Sequence, residues 1–288
     1  MTTTNTIPPP TVTHDATPDI PANRNALGKE LIYRTLVLPA CRSMFDRVWL
    51  HIEGPVPHPA EGPVIVYMNH PGWWDGYMAF LLDKIVLNER FQSYIMMEEQ
   101  QLRIYRFFTW CGAFSVERRR PGEAERSIAY ISRLLRERRD RMLWILPQGR
   151  IVPNDRRPLK VYPGVARIAK QVGDVLFWPV ALRYEFRGEQ RPEAFIRVGP
   201  PHPSDLSAPE EEIVADIQAR LTVAVDALRN EVNEERLDRY RTLVRGKRDI
   251  SRWWADVVAV WRRSIQRLPG RPRQPDPPGD THAPDSQR

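Results

Sequence analysis

The stretch VIVYMNHPGWWDGYMAF, residues 64–80, passes through three kinds of local structure in succession. PVIVYM (63–68) is a short, unbroken apolar run with a β-branched bias, which predicts a strand buried on both faces. Asn69-His70-Pro71-Gly72 then supplies turn formers, because proline fixes φ and glycine carries no Cβ. Residues 75–88 return to helical spacing. A strand that turns sharply into a helix is a building unit of α/β folds. In open sheets of that class, functional groups gather where strands end.

The same alternation recurs on either side. RVWLHIEG (47–54), SYIMM (93–97), GAFSV (112–116), MLWIL (142–146), VLFWPVALRY (175–184) and AFIRV (194–198) predict strands. Helical spacing runs through 122–139 and 162–172, and through 27–45, where Pro39 predicts a kink or break. From 209 to about 268 the pattern is entirely helical. The expected fold is α/β: a single domain at 27–205 with a largely parallel, mixed sheet flanked by helices, followed by a helical C-terminal region at 206–268. Residues 1–26, rich in Thr, Pro and Asn, predict a disordered arm, and 269–288 predict a disordered tail.

Composition narrows the function classes. The 288 residues are 42% hydrophobic, enough for a sizeable core, and the 28 prolines crowd the two ends. Net charge is +7 and the isoelectric point is near 9.6, which favours an anionic partner such as phosphate head groups, an acidic membrane surface or nucleic acid, and charge alone does not choose among them. Cys41 and Cys111 stand apart with no CxxC pair or histidine cluster, so neither a disulfide framework nor a zinc site is expected. The first 25 residues have no apolar core, which argues against a secretory signal. No apolar run approaches the roughly 18–20 residues of a spanning helix. The expectation is a protein that is soluble or lies on a membrane surface.

Chemistry centres on His70 and Asp75. On one continuous helix a separation of five would set them about 140° apart. Pro71-Gly72 instead keeps His70 in the turn and puts Asp75 in the first helical turn, from where the carboxylate can bend back to the imidazole. A carboxylate on one ring nitrogen fixes the tautomer, stabilises the imidazolium and leaves the other nitrogen as general base. No GxSxG elbow offers a partner serine, so the proton would come from an incoming substrate hydroxyl.

Asn69-His70-Pro71-Gly72-Trp73-Trp74-Asp75 resembles the NHxxxxD signature of the glycerolipid acyltransferases, the lysophosphatidic acid acyltransferase (PlsC-type) family. Three further blocks follow in that family's order. Gly112-Ala113-Phe114-Ser115-Val116-Glu117-Arg118 is similar to the second block, whose arginine binds acceptor phosphate. Leu146-Pro147-Gln148-Gly149-Arg150 sits where the family has F-P-E-G-T-R. Trp178-Pro179-Val180-Ala181 resembles the fourth block, an apolar strand with an internal proline. Together they span about residues 60–185. The third block departs most: Gln148 replaces a glutamate, and Arg150 follows Gly149 with no threonine between.

The resemblance implies His70 and Asp75 as the catalytic pair, with Asn69, Gly72, Arg118, Gln148, Gly149 and Arg150 around the substrates. It implies acyl-CoA or acyl carrier protein as co-substrate, no cofactor or metal, and a lysophospholipid acceptor such as 1-acyl-glycerol-3-phosphate. A glycolipid or glycosylated carotenoid acceptor is the rival motivated by Gln148. A non-catalytic basic module that binds anionic membrane or nucleic acid is the rival from another class, although no nucleic acid is expected. In RDISRWWADVVAVWRRSIQRL (248–268) tryptophans and aliphatics repeat at helical spacing with arginines mostly on other faces, which suits either a membrane interface or packing on the domain. Residues 27–45 invite the same two readings. The expected place is the inner face of a membrane, peripherally attached.

Overall fold

Eight strands form one sheet in the computed structural model, which describes residues 17–120 and 122–247. They are β1 (Arg47–Ile52), β2 (Val64–Met68), β3 (Gln92–Glu98), β4 (Ala113–Val116), β5 (Arg141–Ile145), β6 (Leu176–Glu185), β7 (Glu193–Val198) and β8 (Arg241–Arg245), in the order β4-β3-β5-β2-β6-β7-β1-β8. Neighbours from β4 through β6 are parallel, as are β7 and β1, whereas β6–β7 and β1–β8 are antiparallel. The fold is therefore α/β with a mixed, largely parallel sheet.

β2 is the central strand and explains why its sequence has no polar position. Ile65 and Tyr67 join the core beneath α5 (Glu123–Glu137), α6 (Gly164–Val172) and α7 (Glu210–Asn233). Val64, Val66 and Met68 join the opposite core, with α1 (Ala26–Ile32), α2 (Leu38–Met44) and α3 (Asp75–Leu81). Helices on both faces leave a parallel strand no wet side. α4 (Glu99–Ile104) completes the set beside β4.

Three features differ from the sequence expectations. Pro39 does not break the 27–45 helix. A wide turn at Tyr33–Val37, with the Leu38 N–H reaching the Tyr33 carbonyl, precedes it and accommodates a residue that has no N–H to give. Residues 17–25 are not part of a disordered arm. Ile20 is buried and exchanges hydrogen bonds with Ser115 of β4: its N–H donates to Oγ at 2.9 Å and its carbonyl accepts from the Ser115 N–H at 2.9 Å. A low average hydrophobicity hid this anchor, which covers the free edge of β4 and is joined by backbone hydrogen bonds from Asn23 to Thr109 and from Asn25 to Trp110. The C-terminal region is not helical throughout: after α7, β8 pairs with β1 and covers the other edge, with Val244 opposite Val48. α7 itself packs on β6 and β7, so the described part of the C-terminal region shares the core of the sheet. The Trp-rich stretch 248–268 and the tail 269–288 lie outside the described residues.

Strand direction fixes where loops meet. β2, β5 and β6 end at one edge of the sheet. β1 begins at that same edge, since Arg47 pairs with Glu193, which pairs in turn with Glu185 at the end of β6.

Candidate active site

The last residue before the turn at the end of β2 extends the sheet with its side chain. Asn69 Nδ2 donates to the Leu182 carbonyl at 2.9 Å, and its Oδ1 accepts from the Leu182 N–H at 2.7 Å. The amide thus supplies one more rung between β2 and β6. His70 follows, and its backbone is held from both sides: its N–H donates to Gln148 Oε1 at 2.8 Å, and its carbonyl accepts from the Val152 N–H at 2.8 Å. The turn 71–74 leads into α3, whose first residue is Asp75.

The structure brings His70 and Asp75 together, with Nδ1 2.6 Å from Oδ2. Asp75 is 0% exposed. Its Oδ2 also accepts from the Gly72 N–H at 3.2 Å, and its Oδ1 accepts from the Tyr184 hydroxyl at 2.6 Å. Burial pushes the Asp75 carboxyl above its ordinary range, against the pull of the hydrogen bonds from His70, Tyr184 and Gly72. Burial likewise pushes the Tyr184 phenol well up, with the Asp75 charge adding to it, so Tyr184 keeps its proton and acts as a donor. A carboxylate only accepts, so Nδ1 carries the hydrogen, and Nε2 of the half-buried imidazole is the ring nitrogen left to meet a substrate.

The remaining sequence candidates separate into two groups. Gln148 is buried, and its side-chain carbonyl is spent on the His70 N–H. It therefore holds the loop that carries the base, whereas the resemblance had placed it around the substrates. Gly72 also works on the dyad, through its N–H to Asp75. Arg118, Gly149 and Arg150 lie at the exposed side. Arg118 donates to the Gly149 carbonyl and stands 5.5 Å from the centre of the Tyr162 ring, with Lys160 Nζ 4.9 Å from the same ring. A Cβ on Gly149 would fall 2.1 Å from Arg118 Nη1, so glycine is what lets the arginine cross here. Arg150 is exposed and forms no ion pair among the described residues. Arg120 instead joins Glu99 at 2.5 Å and Asp19 at 3.4 Å, a structural cluster.

Sequence reasoning missed Tyr184. Tyr184 was visible only as the end of an apolar strand. Its signal was position, a tyrosine at the C-terminal end of a strand that neighbours β2.

The family model described as Acyltransferase matches residues 49–183, the span from β1 into β6 that contains all four sequence blocks. Among solved structures, the chain is similar to the crystal structure of the 1-acyl-sn-glycerophosphate (LPA) acyltransferase PlsC from Thermotoga maritima. Identity is 15%, the match covers 70% of this chain and 78% of that one, and the TM-score is 0.44. No curated protein matches.

Proposed function

We propose, from the match of residues 49–183 to the family model described as Acyltransferase, that this chain transfers a fatty acyl group from a thioester to a lysophospholipid hydroxyl, with His70 as general base. The observation that carries the reading is the 2.6 Å bond from His70 Nδ1 to a fully buried Asp75. Nε2 takes the hydroxyl proton as the acceptor oxygen attacks the thioester carbonyl. Asp75 stabilises the imidazolium so formed. Collapse of the tetrahedral intermediate breaks the C–S bond, and the departing thiolate takes the proton back from Nε2. Acyl-CoA or acyl carrier protein supplies the thioester.

An acceptor with a phosphate, such as 1-acyl-glycerol-3-phosphate, suits Arg118, Arg150 and Lys160. The inward turn of Gln148 weakens the case for a sugar-bearing acceptor, because that substitution alters what holds the His70 loop and leaves the exposed cations in place. Purified protein given mixed acyl-CoAs or acyl carrier proteins, with lysophospholipid and glycolipid acceptors read by mass spectrometry, tests this. Esterification of lysophosphatidic acid is the expected result. Preference for a sugar hydroxyl would move the acceptor assignment, and no ester from either donor would favour the non-catalytic basic module.

Contact with an anionic bilayer belongs to the same proposal. No helix among the described residues is long and apolar enough to cross a membrane. Large apolar side chains nonetheless stand exposed at the edge of the sheet where His70 sits: Met44 at 46% before β1, Trp73 at 52% after β2, Ile151 at 52% after β5 and Phe186 at 74% after β6. Arg42, Arg118, Arg119 and Arg150 are exposed on segments of the same edge. Apolar groups among arginines suit a lipid head-group layer. Replacing Ile151 and Phe186 together by Asp is expected to weaken binding to anionic vesicles about 10-fold or more in a sedimentation assay, since each buried apolar side chain contributes about 1.5–3 kcal/mol. Unchanged binding, with release on deletion of 248–288, would assign the contact to that segment.

A further inference from the structure

Asp75 can orient the imidazole only if its own carboxylate is held, and the structure holds each oxygen separately. Oδ2 faces His70 and the Gly72 N–H, while Oδ1 meets a single group among the described residues, the Tyr184 hydroxyl at 2.6 Å. Tyr184 reaches it from the end of β6, on the far side of the turn from α3. Its ring is fixed by stacking 5.7 Å from Phe45, which packs edge-on against Trp74 at 5.3 Å. Space for that ring depends on Gly72, where a Cβ would lie 3.1 Å from Tyr184 Cε2 and 3.9 Å from Asp75 Oδ1. Glycine at 72, tyrosine at 184 and aspartate at 75 therefore form one interlocked arrangement.

We propose that Tyr184 is a positioning residue for the dyad: its hydroxyl locks the Asp75 carboxylate in rotation, so that Oδ2 meets His70 Nδ1 in line, and Gly72 is required to admit it. Without the hydroxyl, Oδ1 is a buried acceptor with no partner and the carboxylate turns more freely. Removal of that donor also leaves more of the negative charge to the imidazole, so the coupled pair takes up its proton at higher pH. Among the described residues the other titratable group facing Tyr184 is Cys41 of α2, whose thiol burial pushes up to about 12 and so keeps neutral.

The proposal rests on the acyl-transfer reading for its kinetic test but not for its spectroscopic one. Tyr184→Phe keeps the ring and its stacking. It is expected to lower kcat about 10-fold with KM unchanged, to raise the acid limb of the pH–rate profile, and to shift the downfield proton resonance of His70 Nδ1–H. Gly72→Ala is expected to move the same three readouts in the same directions, by crowding the tyrosine ring. The resonance needs no substrate, so it decides the role of Tyr184 even if no acceptor is turned over. An unmoved resonance and acid limb in Tyr184→Phe, with only the melting temperature changed, would reduce Tyr184 to packing and overturn the proposal.

Discussion

His70→Ala is expected to lower acyl transfer by at least about 10³-fold while leaving the protein folded, because the imidazole is the only group at the turn placed to accept the hydroxyl proton. The imidazole is half-buried at the mouth of the turn, so little core is lost with it. Asp75→Asn separates charge from shape. An amide in that position can still meet the Gly72 N–H and the Tyr184 hydroxyl, but it cannot stabilise an imidazolium, and a loss of about 10³–10⁴-fold in kcat is expected. Stability should move the other way. Burial raises the carboxyl of Asp75 in the folded state, so the folded protein binds that proton more tightly than the unfolded chain. The ionised carboxylate is then a cost that is absent below the unfolded carboxyl range and fully present once pH exceeds the raised value. Thermal melts should show Asp75→Asn more stable than the parent near neutral pH, with the gap closing as the solution is acidified. A variant that is less stable at every pH would show that the hydrogen bonds outweigh burial.

Gly112→Ala is expected to abolish stable folding. Gly112 opens β4 with φ at +94°, and a Cβ there would lie 2.1 Å from the Ser93 carbonyl oxygen and 3.3 Å from Tyr94 Cα. Both contacts are backbone, so no side chain can swing aside. Ser93 cannot retreat without cost, because its Oγ donates to Asp83 at 2.7 Å and accepts from Trp144 Nε1 at 3.2 Å, while Asp83 holds buried Lys29 at 2.5 Å. Strain at positive φ, a steric overlap and a disturbed buried ion pair together place the effect above about 4 kcal/mol. Gly122→Ala is the comparison: φ is +81° but nothing among the described residues lies within 4 Å of the added methyl. Denaturant unfolding should give about 1–2 kcal/mol there, the conformational cost alone. Equal losses in the two variants would remove the steric argument.

Much of the architecture could be read from residues whose reasons are local. β2 shows itself as five consecutive apolar residues because both of its faces are covered. Turn and helix after it are written in Pro71, Gly72 and the spacing beyond. β8 was hidden because RTLVR sits within a long helical pattern and has only Val244 buried; its pairing with β1 is decided by an edge far away in sequence. The anchor at Ile20 was hidden for a similar reason, since two buried side chains, Pro18 and Ile20, do not change the composition of a polar arm. At the site, His70 and Asp75 could be paired from their spacing around a turn. Tyr184 could not, as nothing near residue 184 mentions Asp75. Gln148 was seen at the right place and assigned to substrate binding, and only coordinates reveal that its carbonyl is turned toward the His70 backbone.

The strand order has a consequence in time. Tyr184 and Asp75 are 109 residues apart, Asn69 and Leu182 are 113 apart, and the Trp49–Glu193 contact spans 144. During synthesis, β1 has neither of its partners until β7 and β8 have been made, and β2 lacks one side until β6 emerges. A nascent chain therefore carries unpaired apolar strands through most of translation, and formation of the sheet waits on long loop closures. The base can be aligned only after the fourth sequence block has left the ribosome, so a truncated chain that ends before β6 has the His70 and Asp75 side chains but not the frame that makes them a pair.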